Sequence, residues 1–170
     1  MGTVNLREVQ EGARILIDAN IFVYWLTQRS DDCGRFMQRC AAGNIQGYVS
    51  ILSLVEVTHR LMMLEAKEND WAKGSNPVRS LLERPERIQS LVRYEERLRR
   101  IFALRLHVED LKQADLMESL SIRRRCGFLT NDAVLLATAL RLGIKGIASA
   151  DKDLERASDY VVYNPSDLTV

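Results

Sequence analysis

The stretch RILIDANIFVYWL, residues 14–26, carries one acid, Asp18, in a run that is otherwise almost wholly apolar beyond Arg14. Apolar neighbours bury what lies between them, and an ionised carboxylate in a dry interior is costly unless it is paired or meets a cation. The run reads as a short buried strand over residues 14–18 that turns into a helix over about 20–28, which places Asp18 at a strand-to-helix junction.

The same alternation continues outward. A helix over about 31–42 stops at Gly43, GYVS (47–50) forms a second strand, and SLVEVTHRLMMLEAKE (53–68) a long helix. NDWAKGSNP (69–77) breaks the pattern with Gly, Asn and Pro and reads as a loop. Pro85 suits the first turn of a helix running to about residue 100. ALRLHV (103–108) is a third strand, and a helix over 109–126 closes at Gly127. TNDAVLLATALRLG (130–143) is a helix apolar nearly all round, hence buried. IKGIAS (144–149), ADKDLERA (150–157) and YVVY (160–163) complete the chain as strand, short helix and strand. Continuously apolar strands alternating with helices specify an α/β fold with a parallel sheet covered on both faces.

The 170 residues suit one domain with a core of its own. No apolar run reaches the length of a membrane span, and the N-terminal stretch MGTVNLREVQEGAR shows no secretory or lipidation signal, so a cytoplasmic protein without a membrane partner is expected. Cys33, Cys40 and Cys126 lack metal-ligand spacing and read as free thiols. The net charge is +1, but residues 79–105 hold eight arginines against four glutamates, leaving the remainder acidic.

Four acids stand out by position. Asp18, Glu56 and Asp151 each follow a strand, and Asp132 opens the buried helix. Each alone has an ordinary explanation. Ser53 and Glu56 match a capping box, Asp18 and Asp132 suit helix N-termini, and Asp151 suits a turn. Those explanations do not account for four acids at the junctions of one sheet, where open α/β folds place their sites. Converging carboxylates repel unless protonated or bridged by cations, and Mg²⁺ is the hard ion that prefers such oxygens.

Taken in order, LIDANIFVYW, SILSLVEVTHR, TNDAVLLATAL and IASADKDLER resemble the signature of PIN-domain ribonucleases, most of all the toxins of VapBC-type toxin–antitoxin pairs. The resemblance spans residues 14–163 and implies a three-layer α/β/α sandwich around a central parallel sheet of about five strands. It implies one PIN-like domain over 1–170 with a helix-rich extension at about 67–105, and an Mg²⁺- or Mn²⁺-dependent endoribonuclease. Its catalytic quartet falls on Asp18, Glu56, Asp132 and Asp151. Asp18 and Asp132 are then the main metal ligands, Asp151 binds directly or through water, and Glu56 serves a second metal or a coordinated water. Asn20 and Ser149 match the family's small polar supports. The chain departs from the pattern where the last motif reads Ala-Asp-Lys-Asp-Leu, so Asp153 competes with Asp151 for the fourth role. The implied partners are an RNA substrate and an antitoxin protein.

The expected phosphate contacts are Arg93, Arg97 and Arg100, which share a helix face, and Arg123, Arg124 and Arg125. The competing assignment for the basic helix is a solvated face paired with Glu95 and Glu96. Ile88, Leu91, Leu98 and Phe102 form an apolar stripe that packs on the chain's own core, or else joins a homodimer or receives an antitoxin helix. Glu56 and His59 form a lone Glu-x-x-His element without the second copy that a di-iron bundle needs. Two other functions stay open: a non-catalytic RNA-binding or protein-interaction module on the same fold, and an Asp-x-Asp phosphatase, which Asn20 disfavours because it is no second acid.

Overall fold

A computed structural model describes residues 4–168, so the ends of the N-terminal stretch and of the chain (1–3 and 169–170) lie outside the described residues. Six parallel strands form one sheet: β1 (Val4–Asn5), β2 (Arg14–Ile17), β3 (Gln46–Ser50), β4 (His107–Glu109), β5 (Gly146–Ala148) and β6 (Val161–Asn164). Their order is β1-β6-β5-β2-β3-β4. The chain builds outward from β2 to β3 and β4, then returns to the other side of β2 for β5. The sheet therefore changes direction between β2 and β5, where Leu16 pairs with Ile147. That gap is the topological switch point.

Alternation along the strands divides the core in two. Ile15 and Ile17 of β2 face a cluster with α1 (Ala19–Leu26), α2 (Asp31–Ala41) and α3 (Ile51–Glu68). Leu16 points the opposite way, with Ile147 and Val162, into a cluster under the later helices. These are α7 (Gln113–Cys126) and α8 (Thr130–Leu142), of which residues 133–139 are buried without interruption. The result is the three-layer sandwich. Gly127 and Gly143 end α7 and α8 in the left-handed conformation (φ 71° and 63°), the role that sequence assigned to them.

Four elements differ from the sequence reading. The sheet gains β1, a two-residue strand beside β6 too short to leave a periodic signal. Part of the stretch read as loop-to-helix forms α4 (Pro77–Leu82), begun by an Asn76 cap and Pro77. The helix expected over residues 85–100 is two helices, α5 (Pro85–Gln89) and α6 (Arg93–Phe102). The break has a long-range cause: the buried Glu65 of α3 accepts the Val92 N–H (3.0 Å) and the Tyr94 N–H (2.8 Å), so α6 starts anew there. Finally, the strand expected at 103–108 pairs only from His107, because Leu104 and Leu106 pack against the core cluster instead.

The apolar stripe of this region turns mostly inward. Leu91 is buried, Ile88 and Leu98 are partly buried, and Phe102 stays exposed. Cys33 and Cys40 are free and buried, and burial pushes their thiols up to about 12, so neither is a nucleophile at neutral pH. Among the described residues no helix is long and apolar enough to cross a membrane.

Candidate active site

Asp18 caps α1 immediately beyond β2, accepting the Ala19 N–H at 2.7 Å through Oδ1. The ordinary explanation is thus true but incomplete, because Oδ2 accepts two further bonds, from Asn20 Nδ2 (2.6 Å) and Ser149 Oγ (2.7 Å). Ser149 is fully buried just past β5, and its hydroxyl also accepts the Asp151 N–H at 3.0 Å. Asn20 Oδ1 accepts the Ala150 N–H at 3.0 Å. Two short polar side chains therefore lash the β5 loop to the β2–α1 junction across the switch point.

A cleft of about 520 Å³ opens there, and Asp18, Glu56, Asp132 and Asp151 all line it. Glu56 does not cap α3. Ser50 does, through its hydroxyl on the Ser53 N–H (3.0 Å), so the capping box expected at Ser53 and Glu56 does not form. Glu56 instead meets Arg60 Nη2 (2.6 Å) and Asn131 Nδ2 (3.1 Å). Asp132 is the third residue of α8, whose cap position is Leu129. Asp151 caps the 3-10 turn Lys152–Arg156 through the Asp153 N–H (2.8 Å). Asp153 is exposed, pairs with Arg156 at 3.5 Å and does not line the cleft.

Electrostatics follow from this crowding. Burial, reinforced by Glu56 and Asp132, raises the Asp18 carboxyl from 3.8 to about 6 despite its hydrogen bonds. Burial also raises Asp132, followed by repulsion from Asp151, Glu56 and Asp153. Arg60 is the one cation among the described residues lining the cleft. A hard divalent cation fits the donor set, since every candidate ligand is oxygen and a cation would relieve the repulsion. Among the described residues, however, no three His, Cys, Asp or Glu side chains stand together as a ready-made metal cage. Asp18 accepts from three donors and Glu56 from two, which orients both carboxylates and leaves each a lone pair for a cation.

The residues nominated for RNA contact lie elsewhere. Arg93 pairs with Glu68 (3.3 Å) and Asn69 (2.7 Å), Arg97 with Glu68 (3.6 Å), and Arg100 lies over the Trp25 ring. Arg123, Arg124 and Arg125 are exposed at the end of α7. His59 is an exposed residue of α3 and builds no second ligand. Sequence reasoning missed Ser50, Ser53, Arg60 and Asn131 in the cleft wall. Arg60 was findable, four residues after Glu56 on one helix. Ser50 was hidden because the sequence reading begins the helix at residue 53, whereas α3 begins at Ile51.

The family model of the PIN domain matches residues 15–160. The chain belongs to the PIN-domain family. Three solved structures illustrate the shared PIN fold. A Rickettsia felis VapBC2 complex bound to a promoter DNA fragment superposes with a TM-score of 0.62 at 15% identity, covering 89% of this chain and 98% of that one. A toxin–antitoxin complex from Klebsiella pneumoniae gives 0.55 at 20% identity, covering 86% and 95%. Mycobacterium tuberculosis VapC20, described as a toxin cleaving the sarcin–ricin loop, gives 0.57 at 14% identity, covering 86% and 96%. No curated protein shows significant similarity to this PIN-domain chain.

Proposed function

We propose that this PIN-domain protein is a divalent-metal-dependent endoribonuclease acting as the toxin of a toxin–antitoxin pair. The observation that carries the reading is the convergence of four carboxylates, from four separate junctions, on one cleft at the switch point. Asp18, Asp132 and Asp151 would hold Mg²⁺ or Mn²⁺, and Glu56 would orient the attacking water. When bound, such a cation lowers the pKa of water and neutralises charge developing on the phosphate. The chain's own part is positional. Ser149 and Asn20 fix the Asp18 carboxylate, and Asn131 and Arg60 fix Glu56. The first turn of α8 brings Asp132 into the same cleft. Single-stranded RNA is the substrate class, and cleavage proceeds without a covalent enzyme intermediate, because no nucleophile–base pair lines the cleft among the described residues.

An antitoxin partner is supported by the complexes formed by structural neighbours, and a cytoplasmic site of action follows from an RNA substrate. Self-association is supported by the exposed Ile51 and Val55, one turn apart on α3, and by Leu116, Met117 and Leu120 on α7. Light scattering that shows a monomer throughout the micromolar range would remove the homodimer. The nuclease claim is tested by incubating purified protein with single-stranded RNA in Mn²⁺ and in EDTA. Cleavage only in Mn²⁺ is expected. RNA binding without cleavage in either condition would identify the non-catalytic module instead.

A further inference from the structure

We propose that a second, apolar pocket beside the acidic cleft is a nucleotide subsite that seats one base of a single-stranded RNA, while its basic rim holds the neighbouring phosphates. The proposal rests on the ribonuclease reading of the cleft and extends it to how the substrate is held. The pocket encloses about 430 Å³ between α1, α3 and the segment after α3, a volume within the usual range for small-ligand sites. Val23, Met63, Leu64 and Pro77 supply apolar wall. Arg29, Arg60 and Lys67 supply the rim, and no acid lines the pocket among the described residues.

Two features point to a polyanion with an apolar face. First, the pocket and the cleft share a wall: Arg60 lines both, one helical turn beyond Glu56. A strand whose phosphate sits among the four acids thus has its next nucleotide within reach of this pocket. Second, Arg29 and Lys67 are exposed and have no carboxylate partner among the described residues. The α6 arginines, by contrast, are already engaged with Glu68 and Trp25. Unpaired cations around an apolar recess complement a base flanked by phosphates, as in sequence-tolerant single-strand binding. Arg60, which bonds Glu56 through Nη2, links the two sites by offering its remaining guanidinium N–H groups to an incoming phosphate.

The test measures binding of a short labelled single-stranded RNA by fluorescence anisotropy across a KCl series, in the Asp132→Asn background to prevent cleavage. The double variant Arg29→Gln/Lys67→Gln should raise Kd about tenfold and reduce the slope of log K against log salt by about 1.4, at ~0.7 for each phosphate no longer neutralised. Met63→Glu should weaken binding comparably by placing a charge against the base, whereas the volume-conserving Met63→Leu should bind as the parent does. Melting temperatures check that each variant folds, and the surface double variant decides the question alone if Met63→Glu does not fold. Unchanged Kd and slope in the double variant overturn the proposal, and so does retained RNA binding with selective loss of affinity for a protein partner. The two readings fail separately. Wild-type protein that cuts no RNA in Mn²⁺ sinks the ribonuclease, whereas a wild type that cuts beside a double variant that binds RNA normally sinks only the subsite.

Discussion

Asp18 is held ready but uncomfortable. Three donors orient its carboxylate, yet burial and two facing acids lift its pKa from 3.8 to about 6. A carboxyl with a raised folded pKa binds its proton more tightly when folded than when unfolded. Its contribution to stability is therefore complete below about pH 4 and is lost as pH rises through about 6. Without metal, the melting temperature of wild type relative to Asp18→Asn should fall across that window, leaving the variant the more stable at pH 7. Millimolar Mn²⁺ should raise the wild type only. Equal shifts in both proteins would show that the cation binds elsewhere. Ser149→Ala tests the support beneath Asp18. The change removes a donor to Asp18 and orphans the Asp151 N–H, a cost of about 1–3 kcal/mol. Because the lost bond favoured the charged form, the acid limb of the RNA-cleavage pH profile should move to higher pH. A lowered melting temperature with an unmoved pH profile would leave Ser149 a purely structural residue.

At the scale of elements, the clearest long-range dependence is Glu65. Its two oxygens take the first free N–H groups of α6, and Arg93 lies 3.7 Å away, so the acid is held below its usual range although it is buried. Glu65→Ala leaves those groups unsatisfied and should cost about 2–3 kcal/mol. Limited proteolysis should then cut between α5 and α6 well before the rest of the molecule opens. Unchanged protection there would mean that packing, and not the carboxylate, holds the extension. The same residue explains where the sequence was misleading. Strand–helix alternation, the glycine stops at 127 and 143 and the buried α8 follow from local pattern and were legible. The division of the helix at residues 90–92 follows from a side chain about thirty residues upstream, and no local signal records it. The late start of the third strand is also long-range in origin, since Leu104 and Leu106 are apolar enough for a strand but are used by the core.

For the whole molecule, the strand order makes the site. With β5 returning beside β2, the ends of strands distant in sequence meet, and the acids after them face one cleft. Which acids stand at junctions was readable from the alternation of strands and helices. The different placement of Asp151 and Asp153 was not, because it turns on tertiary contacts: Asp151 lines the cleft, whereas Asp153 is exposed and pairs with Arg156. The partners of Glu56 were equally out of reach, since Asn131 arrives from another helix.

The central claim is that this cleft cuts RNA through its carboxylates, and Asp132→Asn tests it most directly. Asp132 is not a cap, so Asn forfeits only a helix-dipole contribution of about 0.3–1 kcal/mol. Relief of the repulsion from Asp151 and Glu56 offsets that loss. Cleavage rate of single-stranded RNA in Mn²⁺ and melting temperature should be measured on the same preparations of wild type and variant. The expected result is cleavage reduced to background at a melting temperature equal to or above that of the metal-free wild type. Cleavage at the wild-type rate, or cleavage lost only together with the fold, would contradict the account.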